Sequence, residues 1–136
     1  MSIRHVQVVS IPVSDQDRAK EFYVGVLGFA LLADRRFTPE MRWVMVAPPG
    51  GQTALTLVTW FPSMPPGSLQ GTVLESDDLE RDVAALSGKG VEVSPPQDAP
   101  WGRFVTFADP DGNGIVLQAS APNAADAGVS DWSGHA

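Results

Sequence analysis

Arg103-Phe-Val-Thr-Phe-Ala-Asp109-Pro-Asp-Gly-Asn-Gly114-Ile-Val-Leu-Gln118 is the stretch on which the fold of this chain turns. Two alternating apolar runs flank a cluster of turn residues. Asp109 and Pro110 suit the opening of a type I turn, and Gly112 and Gly114 tolerate positive φ. The pattern reads as a β-hairpin with a short loop. Asp109-x-Asp111-x-Asn113-Gly114 also copies the first half of an EF-hand calcium loop. That rival fails on two features. The twelfth loop position falls on Ser120, where a bidentate Glu is needed, and the flanks alternate like strands rather than helices.

An earlier stretch has the same form. Arg42-Trp-Val-Met-Val-Ala-Pro48-Pro49-Gly-Gly51, then Thr53-Ala-Leu-Thr-Leu-Val, is also strand, Pro/Gly turn, strand. The step from Arg42 to Pro49 equals that from Arg103 to Pro110. A second echo lies upstream of each hairpin: Val13-Ser-Asp-Gln-Asp17 leads to Leu27-Gly28-Phe29, and Glu75-Ser-Asp-Asp78 leads to Lys89-Gly90-Val91. The repeating unit is about half the chain, which signals a duplicated module rather than a solenoid.

A length of 136 residues suits one domain with one sizeable core. Hydrophobic content of 43% and charged content of 18% describe an ordinary globular protein. A net charge of −7 and a pI near 4.5 argue against nucleic acid or an anionic membrane as partner. Without cysteines there is no disulfide, thiolate metal site or Cys nucleophile. No apolar run approaches a membrane span and no signal-peptide core is visible, so a soluble, cytoplasmic protein is expected.

In chain order, His5 to Val13 is β-branched and reads as the first strand. Ser14 and Asp17 begin a helix whose buried stripe is Ala19, Phe22, Tyr23, Val26 and Leu27, with Gly28 as its stop. Phe29 to Ala33 is a short strand and Asp34 to Glu40 a loop. Met41 to Ala47 and Thr53 to Trp60 form the first hairpin. Residues 61–68, rich in proline, are the linker between modules. Gln70 to Glu75 opens the second module. Asp77 and Glu80 start a helix burying Leu79, Val83 and Leu86, and Gly90 ends it. Val91 to Val93 is a short strand, Ser94 to Pro100 a loop, and Trp101 to Ala119 the final hairpin. Residues 122–136 read as a disordered tail. The expectation is therefore an α+β domain over 1–121, built of two tandem βαβββ modules at about 3–60 and 69–120. Side by side they would give a curved, eight-stranded mixed sheet, a cup with helices on its convex side.

At this point the residues resemble a known family. Val-Ser-Asp-x-Asp-Arg-Ala-x-x-Phe-Tyr-x-x-x-Leu-Gly-Phe from Val13 to Phe29, with Asp-Pro-Asp-Gly-Asn at 109 to 113, is similar to the vicinal oxygen chelate superfamily. That superfamily includes glyoxalase I, extradiol dioxygenases and bleomycin-resistance proteins. The resemblance covers roughly residues 3 to 120 and implies the cup. It implies little about function, because one scaffold hosts many chemistries.

Metal-using members of the family place four ligands on strands facing into the cup. The resemblance puts those positions at Val8, Thr56, Gly71 (or Gln70, if the register slips by one) and Val116. Val and Gly offer no side-chain donor, and Thr is a poor one beside carboxylate or imidazole. His5 and His135 are the only histidines. His5 lies three residues from Val8, so strict alternation turns it to the opposite face. No metal and no other cofactor is expected.

Given Val8 and Thr56 inward, alternation also sends Val6, Ser10, Ala54, Val58 and Trp60 into the cup. From Gly71 it sends Val73 and Glu75 inward and Leu74 to the helix side. Trp43 and Trp101 open equivalent hairpins. Trp43 is open to either a packed or a ligand-facing reading, whereas Trp60 and Trp101 are the better candidates for a pocket rim that stacks on a planar ligand. Glu75 is the one carboxylate placed inside, as a general base, a polar anchor, or a salt-bridge partner of Arg103 or Arg42. The candidate ligand-binding set is Val8, Ser10, Trp43, Thr56, Val58, Trp60, Glu75, Trp101, Arg103 and Val116. There is no Ser-His pair and no phosphate-cradling loop. The resemblance to drug-sequestering members then implies a metal-independent binding protein for a hydrophobic, aromatic small molecule, of the antibiotic or natural-product resistance type. The alternatives are a glyoxalase-like lyase or isomerase using Glu75 as base, a dioxygenase-type enzyme using the same cup, and a domain whose pocket is vestigial. Members of the family usually pair, and open sheet edges gain by being covered, so a homodimer is expected.

Overall fold

The computed structural model describes residues 1–121, and the expected tail at 122–136 lies outside the described residues. Eight strands and two helical segments follow in the order β1 (Val8–Pro12), α1 (Gln16–Lys20) continuing as a π-helix (Glu21–Val26), β2 (Ala30–Thr38), β3 (Met41–Ala47), β4 (Ala54–Val58), β5 (Thr72–Glu75), α2 (Leu79–Gly88), β6 (Gln97–Ala99), β7 (Gly102–Ala108) and β8 (Gly114–Ser120). The α+β class and the twofold repeat of strand, helix and three strands agree with the sequence. Hydrogen bonding divides the strands into two four-stranded mixed sheets, ordered β1-β4-β3-β2 and β5-β8-β7-β6. Each has one parallel pair, β1 with β4 and β5 with β8. Contacts group the chain into two compact units. Met1–Gln70 with Asp109–Asn113 form the first, and the second holds Gly71–Ala108 and, among the described residues, 114–121.

Several boundaries differ from the sequence reading. β1 begins at Val8, leaving His5, Val6 and Gln7 outside the ladder and exposed. Asp15, not Ser14, caps α1, its carboxylate accepting from the Arg18 N–H at 3.1 Å. Asp78 caps α2 in the same way from Arg81 N–H. In both helices the later of two adjacent polar residues holds the non-helical backbone a cap needs. The expected loop at 34–40 is instead strand: β2 runs on to Thr38, accommodating its charges with register shifts between Leu31 and Ala33 and between Arg36 and Thr38. Such bulges let an edge strand carry polar residues on both sides. Residues 91–93 form no strand, and the fourth strand of the second sheet is β6, further along in the expected loop.

In the first unit, β4 is an inner strand of its sheet and is buried at every position, Ala54 to Val58. Val44, Val46, Leu55, Leu57 and Ile11 join the helix-side core with Phe22, Tyr23 and Phe29. The π-helical turn explains how two consecutive aromatics are buried. Leu27 N–H reaches back five residues to Phe22 C=O, a wider turn that puts both Phe22 and Tyr23 on the inner side. The rings of Phe22 and Tyr23 meet edge to face at 5.4 Å.

The Asp109-to-Asn113 turn belongs to this first unit. Asp109 Oδ1 accepts from the N–H groups of Asp111 and Asn113, and Oδ2 accepts from the Asn113 carboxamide and the Tyr23 hydroxyl. Asn113 Nδ2 also donates to Pro12 C=O at 2.8 Å. Asp111 accepts from the Ser14 hydroxyl at 2.6 Å and from Arg18 at 3.2 Å. The carboxylates that imitate a calcium loop are thus occupied by protein donors. Gly67, at φ 83°, passes so close to the turn that a Cβ would run into the Asp111 carbonyl oxygen. In the second unit, Val105, Phe107, Ile115 and Leu117 form the buried face, with Leu79 and Leu86 of α2 also buried.

Candidate functional site

Strand pairing decides which side chains share a face. In the first unit Ser10 pairs with Thr56 and Thr56 with Met45, so these three side chains share the face opposite α1. Ser10 Oγ and Thr56 Oγ1 lie 3.2 Å apart in a hydrogen bond. Val8 lies on the same face, half-buried, beside Ala54. Thr56 and Val58 are 0% and 1% exposed, so they support this face from within.

β3 and β4 pair only at Met45–Thr56 and Val46–Leu55. Past that point the Gln16 carboxamide, at the start of α1, donates 2.7 Å bonds to both Arg42 C=O and Leu57 C=O. It satisfies two carbonyls that the parted ladder leaves free. On the other face, Trp43 and Trp60 stack across the parted strands, with ring centroids 6.3 Å apart and planes 24° from parallel. Phe61 tilts against Trp60 at 6.2 Å and is exposed. Arg35 of β2 is the register partner of Trp43, so it stands on the same face, with its guanidinium 5.4 Å from the Phe37 ring. Phe61, Trp60, Trp43, Arg35 and Phe37 therefore form one half-exposed aromatic stripe.

The helix-side face of the same sheet carries a charge network. Asp34 accepts from Arg42 at both oxygens and from Lys20 at 2.8 Å. Arg42 also donates to Asp17. The bonds from Arg42 and Lys20 hold the Asp34 carboxyl well below the usual carboxylate range. Those from Asp34 and Asp17 hold Arg42 above its ordinary value. Arg42 is therefore the partner of these aspartates and not of Glu75. At Tyr23, burial first, and then the Asp109 carboxylate, pushes the phenol above its ordinary range.

In the second unit, Val73 pairs with Val116 and Glu75 with Gln118, so all four share the face away from the buried core. Both Glu75 oxygens are engaged, Oε2 by the Ser120 N–H at 2.9 Å and Oε1 by the Ser120 hydroxyl at 2.7 Å. A carboxylate held this way is an anchor rather than a free base. Arg103 pairs with Ala119, on the opposite face to Glu75, and faces Asp98 at 3.5 Å and Glu80 of α2 at 3.9 Å. The uninterrupted β7–β8 register leaves no bulge to turn it, so the placement of Arg103 beside Glu75 is corrected. Trp101 is 41% exposed at the tip of the β6–β7 turn. Gly102 follows it at φ 152°, with no room for a Cβ beside the Ala119 carbonyl.

The residues at the family's ligand positions do not fit a metal ion. Val8, Gly71 and Val116 have no side-chain donor atom, the Thr56 hydroxyl is engaged by Ser10, and the alternative position, Gln70, would add a single amide oxygen. Among the described residues no group of three His, Cys, Asp or Glu side chains could hold a metal. Sequence reasoning missed Arg35 and Gln16. Arg35 lay in a segment too charged to read as strand, although its alternation with Ala33 and Phe37 was a usable signal. Nothing in the sequence marks Gln16.

The glyoxalase/bleomycin resistance protein/dioxygenase superfamily matches residues 2–117. TnmS3, an antibiotic binding protein from Streptomyces sp. CB03234, is 53% identical, with a TM-score of 0.86 over 89% of this chain and 99% of its own. A glyoxalase/bleomycin resistance protein from the same organism is 52% identical, with a TM-score of 0.77 over 84% of this chain and 99% of its own. YetH of Bacillus subtilis (strain 168) is 36% identical over 120 residues, 85% of this chain and 98% of YetH. Among the described residues no helix is long and apolar enough to cross a membrane.

Proposed function

The chain belongs to the glyoxalase/bleomycin resistance protein/dioxygenase superfamily, and from that premise we propose that it is a metal-independent protein that binds and sequesters a hydrophobic, aromatic small molecule. The observation that carries this reading is the half-exposed Trp43–Trp60 stack on the open face of the first sheet, continued by exposed Phe61. Flat aromatic faces at the margin of a protein surface bind planar rings by offset stacking, at little entropic cost to the rigid indoles. The antibiotic bound by TnmS3, a relative at 53% identity, supports the drug or natural-product type of ligand. The second unit offers Val116 and Glu75 on its own open face, and Trp101 at its exposed turn. Both Glu75 oxygens already accept hydrogen bonds from Ser120, which favours binding over base catalysis.

The test is a screen of aromatic natural products by intrinsic tryptophan fluorescence, repeated on W43A and W60A. Saturable quenching in the parent, weakened at least tenfold in both variants at unchanged melting temperature, supports the proposal. Unaltered affinity in variants that melt earlier assigns the two tryptophans to the core. The expected assembly is a homodimer. Sedimentation at micromolar concentration should give twice the chain mass of 14.5 kDa, and a monomer mass would remove the dimer from the account.

A further inference from the structure

We infer that the ligand of this aromatic face carries an anionic group, a carboxylate or a comparably acidic oxygen, recognised by Arg35. The inference rests on the aromatic-binding reading and adds to it the chemistry of one substituent. Arg35 stands beside Trp43 as its cross-strand partner and is exposed. Its guanidinium is held near the Phe37 ring at 5.4 Å. That contact orients a planar cation that remains exposed to solvent.

Among the other cations of this unit, Arg36 donates to Pro39 C=O at 3.0 Å and three are held by carboxylates. Arg42 and Lys20 are tied to Asp34, Arg42 also to Asp17, and Arg18 to Asp111. Arg35 takes part in none of the ion pairs found among the described residues. Asp34, its neighbour in sequence, points to the helix side and is held there by Arg42 and Lys20, so it does not neutralise Arg35. A chain of net charge −7 repels anions at long range. An exposed guanidinium within an aromatic stripe is a local exception, with the fork geometry that suits a carboxylate. Ring and charge would be read by adjacent residues of two paired strands.

The test compares two nearly isosteric probes, 2-naphthoate and its neutral analogue 2-naphthamide, by calorimetric titration of the full chain, the W43A variant, and R35M, which keeps an apolar stem. The expected result at low ionic strength is naphthoate binding about fivefold tighter than naphthamide, the upper range for an exposed ion pair. That preference should vanish in R35M and shrink in high salt, while W43A weakens both probes alike. A parent that binds both probes equally, or an R35M variant that keeps the preference, overturns the anionic assignment and leaves the aromatic platform standing. Failure of both probes to bind the parent overturns both readings.

Discussion

The hydroxyl of Tyr23 donates to Asp109 Oδ2 at 3.0 Å, joining the π-helical turn to a carboxylate 86 residues further along the chain. Asp109 is 5% exposed and also accepts from the Asn113 carboxamide and from two backbone N–H groups. Y23F would leave a buried carboxylate short of one donor. A hydrogen bond to a charged group contributes about 1.5–3 kcal/mol, and Y23F should lower urea stability by that order. A variant as stable as the parent would show that water replaces the phenol without cost.

The electrostatic network on the helix side makes a pH prediction. Arg42 and Lys20 depress the Asp34 pKa, so their contribution is fully present above the ordinary carboxylate value of 3.8 and is lost as pH falls through the depressed one. D34N removes that contribution at every pH. At neutral pH the variant should be less stable than the parent by about 1–3 kcal/mol. The two denaturation curves should converge as acid titrates Asp34. A difference independent of pH would point to packing rather than charge as its origin.

How much of this was legible beforehand follows from what each element depends on. The β7–β8 hairpin and the repeat of Arg42 and Arg103 were readable because alternation and turn residues are local signals. Period 2, counted from the position the family resemblance gives Gly71, likewise placed Val73 and Glu75 on one face, the face that Val116 shares. Two kinds of feature were not readable. The first is strand continued through charged residues, as at Asp34 to Thr38, where bulges absorb what the pattern forbids. The second is tertiary hydrogen bonding. The Asp-Pro-Asp-Gly-Asn segment reads as a turn, but its acceptors are matched to Ser14, Arg18 and Tyr23, which only the folded chain brings near. Arg103 was misplaced for a related reason. Its partners, Asp98 and Glu80, come from β6 and α2, neither of which carries an adjacency signal in the sequence.

The donor set at Val8, Thr56, Gly71 and Val116 leads to an analytical prediction. Protein purified and then exposed to zinc, nickel, manganese or iron should retain less than a tenth of an equivalent after desalting, measured by plasma emission. Retention near one equivalent, lost on changing Gln70 or Glu75, would place a metal in the account after all.

The central claim is that Trp43 and Trp60 receive the ligand. Each tryptophan gives one indole N–H signal in a proton–nitrogen correlation spectrum, assignable by single Trp-to-Phe changes. Stacking on an indole face contributes about 0.5–1.5 kcal/mol beyond buried area, enough to see with a simple ring. Titration with 2-naphthamide is predicted to shift the Trp43 and Trp60 signals together along one saturable curve. Saturable shifts elsewhere in the spectrum, with those two signals unmoved, would contradict the account.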